Sequence, residues 1–136
     1  MMMRTTSRLA AALAVLACPT AASAQAQGDF PATILCDQVA FAAGPARDSL
    51  RVIVGGGKAS YARNLPGGGT ESGSGPLSGR ALVLIGAGRG PGYSYTARYS
   101  GEVTGRGGLL TGRQIWTRAG KSESRACQLT LGDGKG

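Results

Sequence analysis

Tyr93, Tyr95 and Tyr99, with Arg98 among them, form the densest group of side chains capable of chemistry in this sequence. Phenol rings stack on sugars or bases, and a guanidinium grips phosphate or carboxylate through paired hydrogen bonds, so the group suits recognition of an anionic ligand. The surrounding stretch Y-S-Y-T-A-R-Y-S alternates strictly, which predicts a strand with Tyr93, Tyr95, Ala97 and Tyr99 on a core. Arg98 then stands on the solvent face with Ser94, Thr96 and Ser100. The candidate binding residues are Arg98, the arginines Arg63, Arg113 and Arg118 from other strand-like segments, and Tyr95.

Other chemistries fail on residue type. The chain has no histidine, so a serine or cysteine nucleophile lacks its usual base and the cysteines cannot complete a typical zinc site. A Ser-Lys pair could draw only on Lys58, Lys121 and Lys135, none at a meaningful spacing. Glycoside hydrolysis needs two carboxyls across a cleft, and Asp37, Glu71, Glu102 and Glu123 form no recognisable set. Gly86-Ala87-Gly88-Arg89-Gly90 leads into a tyrosine-rich strand instead of a helix, and Gly120-Lys121-Ser122 lacks the upstream glycine of a phosphate loop. The expectation is a protein without catalytic site, metal, cofactor or nucleotide.

Residues 1–24 read as a secretory leader: Arg4 and Arg8, the apolar run Leu9 to Ala17, then Ala22-Ser23-Ala24 as a small-x-small cleavage site. The run is far shorter than the ~20 residues of a membrane-spanning helix, so no transmembrane segment is expected. A periplasmic or secreted protein starting at Gln25 follows. A minor alternative is lipid attachment at Cys18, since Val15-Leu16-Ala17-Cys18 loosely matches a lipobox, with Leu16 and Pro19 departing from it.

Past the leader two cysteines remain, Cys36 near the start and Cys127 near the end. In an oxidising compartment they are expected to form a disulfide joining the first strand to the last. The net charge is +8, falling to +6 without Arg4 and Arg8. Such a balance suits an anionic glycan, a lipid headgroup or a protein partner, although scattered arginines also keep a glycine-rich sheet soluble.

The remaining elements follow from period-2 runs broken by glycine. Residues 25–31 read as a loose lead-in and Ala32 to Ala42 as a first strand turned by Gly44-Pro45. Leu50 to Val54 and Lys58 to Leu65 form a hairpin about Gly55-Gly56-Gly57, with Ala59, Tyr61 and Arg63 sharing one side. Pro66 to Pro76, rich in Gly and Ser, reads as a mobile loop. Arg80 to Ile85 is the most apolar strand, Gly86 to Gly92 a loop, and Leu109 to Thr117 and Arg125 to Leu131 complete the sheet, with Cys127, Leu129 and Leu131 inside. Residues 132–136 read as a flexible tail. The prediction is one all-β domain over residues 25–136: a small antiparallel β-sandwich or barrel of about seven to eight short strands with one disulfide. Its expected role is non-enzymatic binding of an anionic envelope component or protein partner through a basic, Tyr-bearing face. The alternative is a secreted inhibitor of an extracellular hydrolase, presenting Pro66 to Pro76 or Gly86 to Gly92.

Overall fold

The structure, a computed structural model, describes residues 25–38 and 47–135. The leader, Cys18 and the Gly44-Pro45 turn lie outside the described residues. Among the described residues eight strands follow one another without a helix: β1 (Gly28–Cys36), β2 (Arg47–Gly55), β3 (Lys58–Leu65), β4 (Gly69–Ser78), β5 (Ala81–Gly90), β6 (Tyr93–Thr104), β7 (Gly107–Arg118) and β8 (Lys121–Leu131). Each pairs antiparallel with the next, and β8 returns to β1, giving a closed up-and-down barrel rather than a sandwich. Tight turns make this possible. Between β2 and β3 both Gly56 and Gly57 take positive φ, 62° and 75°, the hand of a two-residue hairpin that matches strand twist.

Alternation decides the rest. On β6 the row Tyr93, Tyr95, Ala97, Tyr99, Val103 is buried and the row Ser94, Thr96, Arg98, Ser100 exposed, as expected. Leu84, Leu110, Leu129, Val52 and Phe30 fill the interior from other strands. The outward rows are mainly Ser, Thr and Arg, the reverse of the apolar belt that a membrane-spanning barrel turns to lipid. Among the described residues no helix is long and apolar enough to cross a membrane.

Cys36 and Cys127 are disulfide-bonded and are direct register partners across the β1–β8 seam, so the bridge locks the place where the barrel closes.

Four sequence expectations are corrected. Most of Pro66 to Pro76 is strand β4, and Gly86 to Gly90 continues β5, leaving only Pro66–Gly68 and Pro91–Gly92 as turns. Glycine on the inward row is what misleads: a Cβ at Gly73 would meet the Tyr61 ring at 2.6 Å, and one at Gly88 the Tyr95 ring at 2.2 Å. These glycines are where rings from other strands lie flat on the wall. The lead-in is ordered from its start, with Ala26 buried, Gln25 Nε2 donating to Leu77 O at 3.1 Å and β1 beginning at Gly28. The tail is pinned too: Asp29 and Lys135 exchange backbone hydrogen bonds, and Gly134 N donates to Gly105 O. Both terminal segments therefore cover the end of the barrel that carries the β2–β3, β4–β5 and β6–β7 turns.

Candidate functional site

Two places hold the chemistry: a polar cluster inside the barrel and a basic face outside. The inner one is built by register. Reading across adjacent strands, Arg63, Glu71, Gly88, Tyr95, Trp116 and Glu123 are successive partners from β3 to β8. The next inward level runs Tyr61, Gly73, Gly86, Ala97, Gln114 and Arg125. Small residues on β4 and β5 leave room, and large ones on β3, β6, β7 and β8 fill it.

Glu71 is the hub and is fully buried. Its Oε1 accepts from Arg63 Nε at 2.9 Å, Arg63 Nη2 at 2.7 Å and the Tyr95 hydroxyl at 2.6 Å. Its Oε2 accepts from the hydroxyls of Tyr61 at 2.6 Å and Tyr99 at 3.0 Å. Arg63 Nη1 reaches Asp48 Oδ2 at 2.8 Å. A second layer feeds the first: Arg125 Nε and Trp116 Nε1 each donate to Gln114 Oε1 at 2.8 Å, and Gln114 Nε2 donates to the Tyr99 hydroxyl at 2.8 Å. Every donor in this chain points toward the Glu71 carboxylate, an arrangement in which successive hydrogen bonds polarise one another.

Electrostatics follow from burial. Tyr61, Tyr95 and Tyr99 have pKa values raised well above the ordinary phenol value, first by desolvation and then by the neighbouring Glu71. They stay neutral and serve as donors. Burial works against the Arg63 cation, but the charge and hydrogen bonds of Glu71, with Tyr95 and Asp48, together outweigh it, and its pKa is raised. Arg125 has its pKa lowered by burial. A carboxylate offers about four lone-pair sites; Glu71, with five contacts, has none left for a substrate proton or a metal. Among the described residues no group of three metal-ligating side chains occurs.

Stability should reflect the three neutral tyrosines. A group whose folded pKa is raised stabilises the fold below its unfolded pKa, and the contribution is lost as pH rises. Above pH ~10 each of the three should therefore weaken the fold by about 1.4 kcal/mol per pH unit. Urea midpoints measured from neutral to strongly alkaline pH check this. The absorbance change from Tyr61, Tyr95 and Tyr99 should come in one cooperative step with unfolding; smooth ionisation of these three in a still-folded protein would contradict the network.

The predicted binding residues divide. Tyr95 is buried and stacks on Trp116 at 4.3 Å between ring centres. Arg63, expected on the surface, points inward and is held by Glu71 and Asp48, because it shares the Tyr61 side of β3. Arg98 and Arg113 are exposed and directly opposed on β6 and β7. Arg118 is exposed at the end of β7, five residues or roughly 17 Å beyond Arg113. So the structure brings two of the four arginines together. Sequence reasoning missed Glu71, Gln114, Trp116 and Arg125.

Around Arg98 and Arg113 the outer face carries Ile85 opposite Arg98, Ala126 opposite Arg113, Thr96 and Ser100 along β6, and Thr111 and Ile115 along β7. None is acidic. Arg113 Nη2 donates to Ser124 Oγ at 2.9 Å. Ile85 and Ile115 are 56% and 52% exposed, large values for side chains of their size. Comparison with protein-family models, curated proteins and solved structures finds no match to this chain.

Proposed function

We propose that the protein is an exported, non-enzymatic binding module whose outer β5–β7 face docks on an anionic envelope component. The observation that carries this reading is the direct opposition of Arg98 and Arg113 with no acid beside them and with Ile85 and Ile115 exposed at their flanks. Like charges directly across a strand pair destabilise a sheet, and an anionic ligand relieves that cost. Asp29 pairs with Arg51 at 2.8 Å, and Glu71 and Asp48 hold Arg63 inside, whereas Arg98 and Arg113 carry their charge on the outer face. A closed barrel has no free strand edge, so a partner meets side chains rather than backbone, which suits charge and small apolar contacts. The Cys36–Cys127 disulfide and the leader-like first 24 residues support an oxidising, extracytoplasmic setting.

The test is retention on immobilised heparin and on lipopolysaccharide at low and high salt, with wild type and the Arg98→Ala/Arg113→Ala double variant. Wild type should bind at low salt and release steeply as salt rises, since exposed charges are screened beyond a Debye length of about 8 to 10 Å. The double variant should elute earlier by a large margin with an unchanged melting midpoint. A wild type that ignores both polyanions at low salt would remove the proposal.

A further inference from the structure

The outer wall of the barrel holds two grooves that abut. One, of about 400 Å³, lies over Ile85, Arg98, Arg113 and Ile115; the other, of about 520 Å³, runs from Thr96 and Ile115 past Ala87 and Ser94 to Arg89. Thr96 and Ile115 line both grooves and are direct register partners on β6 and β7. The two hollows therefore meet at that pair.

Register fixes what stands at each end. Ile85 pairs with Arg98 and Arg89 with Ser94, which sets Arg89 four residues, roughly 14 Å, along the wall from the Arg98/Arg113 pair. Arg89 is exposed. Between these two basic ends the outward side chains are Thr70, Ser72 and Ser74 on β4, Ala87 on β5, Ser94 and Thr96 on β6, and Ile115 and Thr117 on β7. None is acidic. The acid on the outward β6 row, Glu102, lies four residues beyond Arg98 on the side away from Arg89. The surface thus carries two positive poles joined by a neutral strip rich in hydroxyls.

The strip selects among anions. A lone phosphate or carboxylate spans only one pole. A lipid surface is held through a broad apolar face, whereas Ile85 and Ile115 are set apart by Thr96 and Arg98 of β6. Serine and threonine hydroxyls both donate and accept, which matches the hydroxyls of a sugar, and the exposed Ile115 gives the C–H face of a sugar ring an apolar surface to cover.

We propose that this double groove binds a short oligosaccharide bearing a phosphate at each end, one phosphate on the Arg98/Arg113 pair and the other on Arg89, with the sugar rings lying across Thr96 and Ile115. The inference rests on the outer-face reading above and names its ligand. The intact, disulfide-bonded protein is titrated calorimetrically at constant ionic strength with three probes. These are a glucosamine disaccharide carrying a phosphate on each ring, the same disaccharide with one phosphate, and vesicles of phosphatidylglycerol. The bisphosphate should bind about tenfold or more tightly than the monophosphate, since Arg89 adds a charge-assisted contact. Arg89→Ala should bring the two sugars to within a few-fold of each other by weakening the bisphosphate alone. Arg98→Ala/Arg113→Ala should weaken both sugars, and Arg51→Ala, across the barrel on β2, should weaken neither. Equal affinity of wild type for the two sugars, a preference that stays near tenfold in Arg89→Ala, or an equal loss in Arg51→Ala overturns the proposal. Binding to the vesicles without response to either sugar also overturns it, and leaves the outer-face reading standing with a lipid surface as partner. A wild type that ignores sugars, vesicles, heparin and lipopolysaccharide at low salt removes both.

Discussion

Glu71→Leu should cost the fold about 3 to 5 kcal/mol, the largest loss expected from any single polar substitution in the chain. The leucine fits a buried position, but the change leaves Arg63 with only Asp48 and strips the acceptor from the hydroxyls of Tyr61, Tyr95 and Tyr99. Removing one partner of a buried ion pair is severe because the other charge stays behind, and the expected total takes the three stranded hydroxyls to be re-solvated by water that the relaxed site admits. Against a typical net stability of 5 to 15 kcal/mol, this decides whether the protein remains folded at moderate temperature. Glu71→Gln should cost less, since one amide oxygen still accepts while the NH2 group faces donors. Urea midpoints measure both. A double-mutant cycle isolates the cause: Tyr95→Phe should cost about 1 kcal/mol in the wild type and nearly nothing beside Glu71→Leu. A Glu71→Leu protein within about 0.5 kcal/mol of wild type would show that the cluster does not hold the barrel interior together.

The route by which Glu71 escaped sequence reasoning is physical. Its strand reads G-T-E-S-G-S-G-P, a linker by composition, because local statistics count glycines and cannot see the tyrosine rings that arrive from β3 and β6 to cover them. Period two was nevertheless present: Thr70, Ser72 and Ser74 face out while Gly69, Glu71, Gly73 and Gly75 face in. An acid alone on a row of glycines, in a chain with tyrosines alternating onto a core, is the signal that could have found it. The same holds for Arg63. Alternation places it with Ala59 and Tyr61, yet basic character argues for water, and only the three-dimensional pairing with Glu71 and Asp48 settles the conflict. Arg125 extends the inward row of Cys127, Leu129 and Leu131 by one step. By contrast the β6 row was legible because apolar or aromatic residues alternate with polar ones without exception over eight positions, and the Cys36–Cys127 pair because, with Cys18 set aside in the leader-like segment, two cysteines allow one partnership. Barrel rather than sandwich was not legible, since closure depends on how β8 finds β1, a contact made across the whole chain.

That closure sets the second large effect. The Cys36→Ala/Cys127→Ala double variant should lose about 4 kcal/mol, because the bridge links residues 91 apart in sequence and the entropy it removes from the unfolded chain grows with the logarithm of that separation. The native side of the account is small: both residues are already register partners, so the ladder from Ala32–Leu131 to Cys36–Cys127 brings them together without help. The loss should therefore act mainly through the unfolded state, which becomes more expanded and exposes more surface on denaturation. The urea midpoint falls and the m-value rises with it. Refolding should slow as well, since β1 must then find β8 across the full length of the barrel without a tether, the most non-local pairing in the fold. A variant whose midpoint falls by less than the equivalent of about 1 kcal/mol, with an unchanged m-value, would mean that the β1–β8 ladder and the Asp29–Lys135 backbone pair close the barrel by themselves.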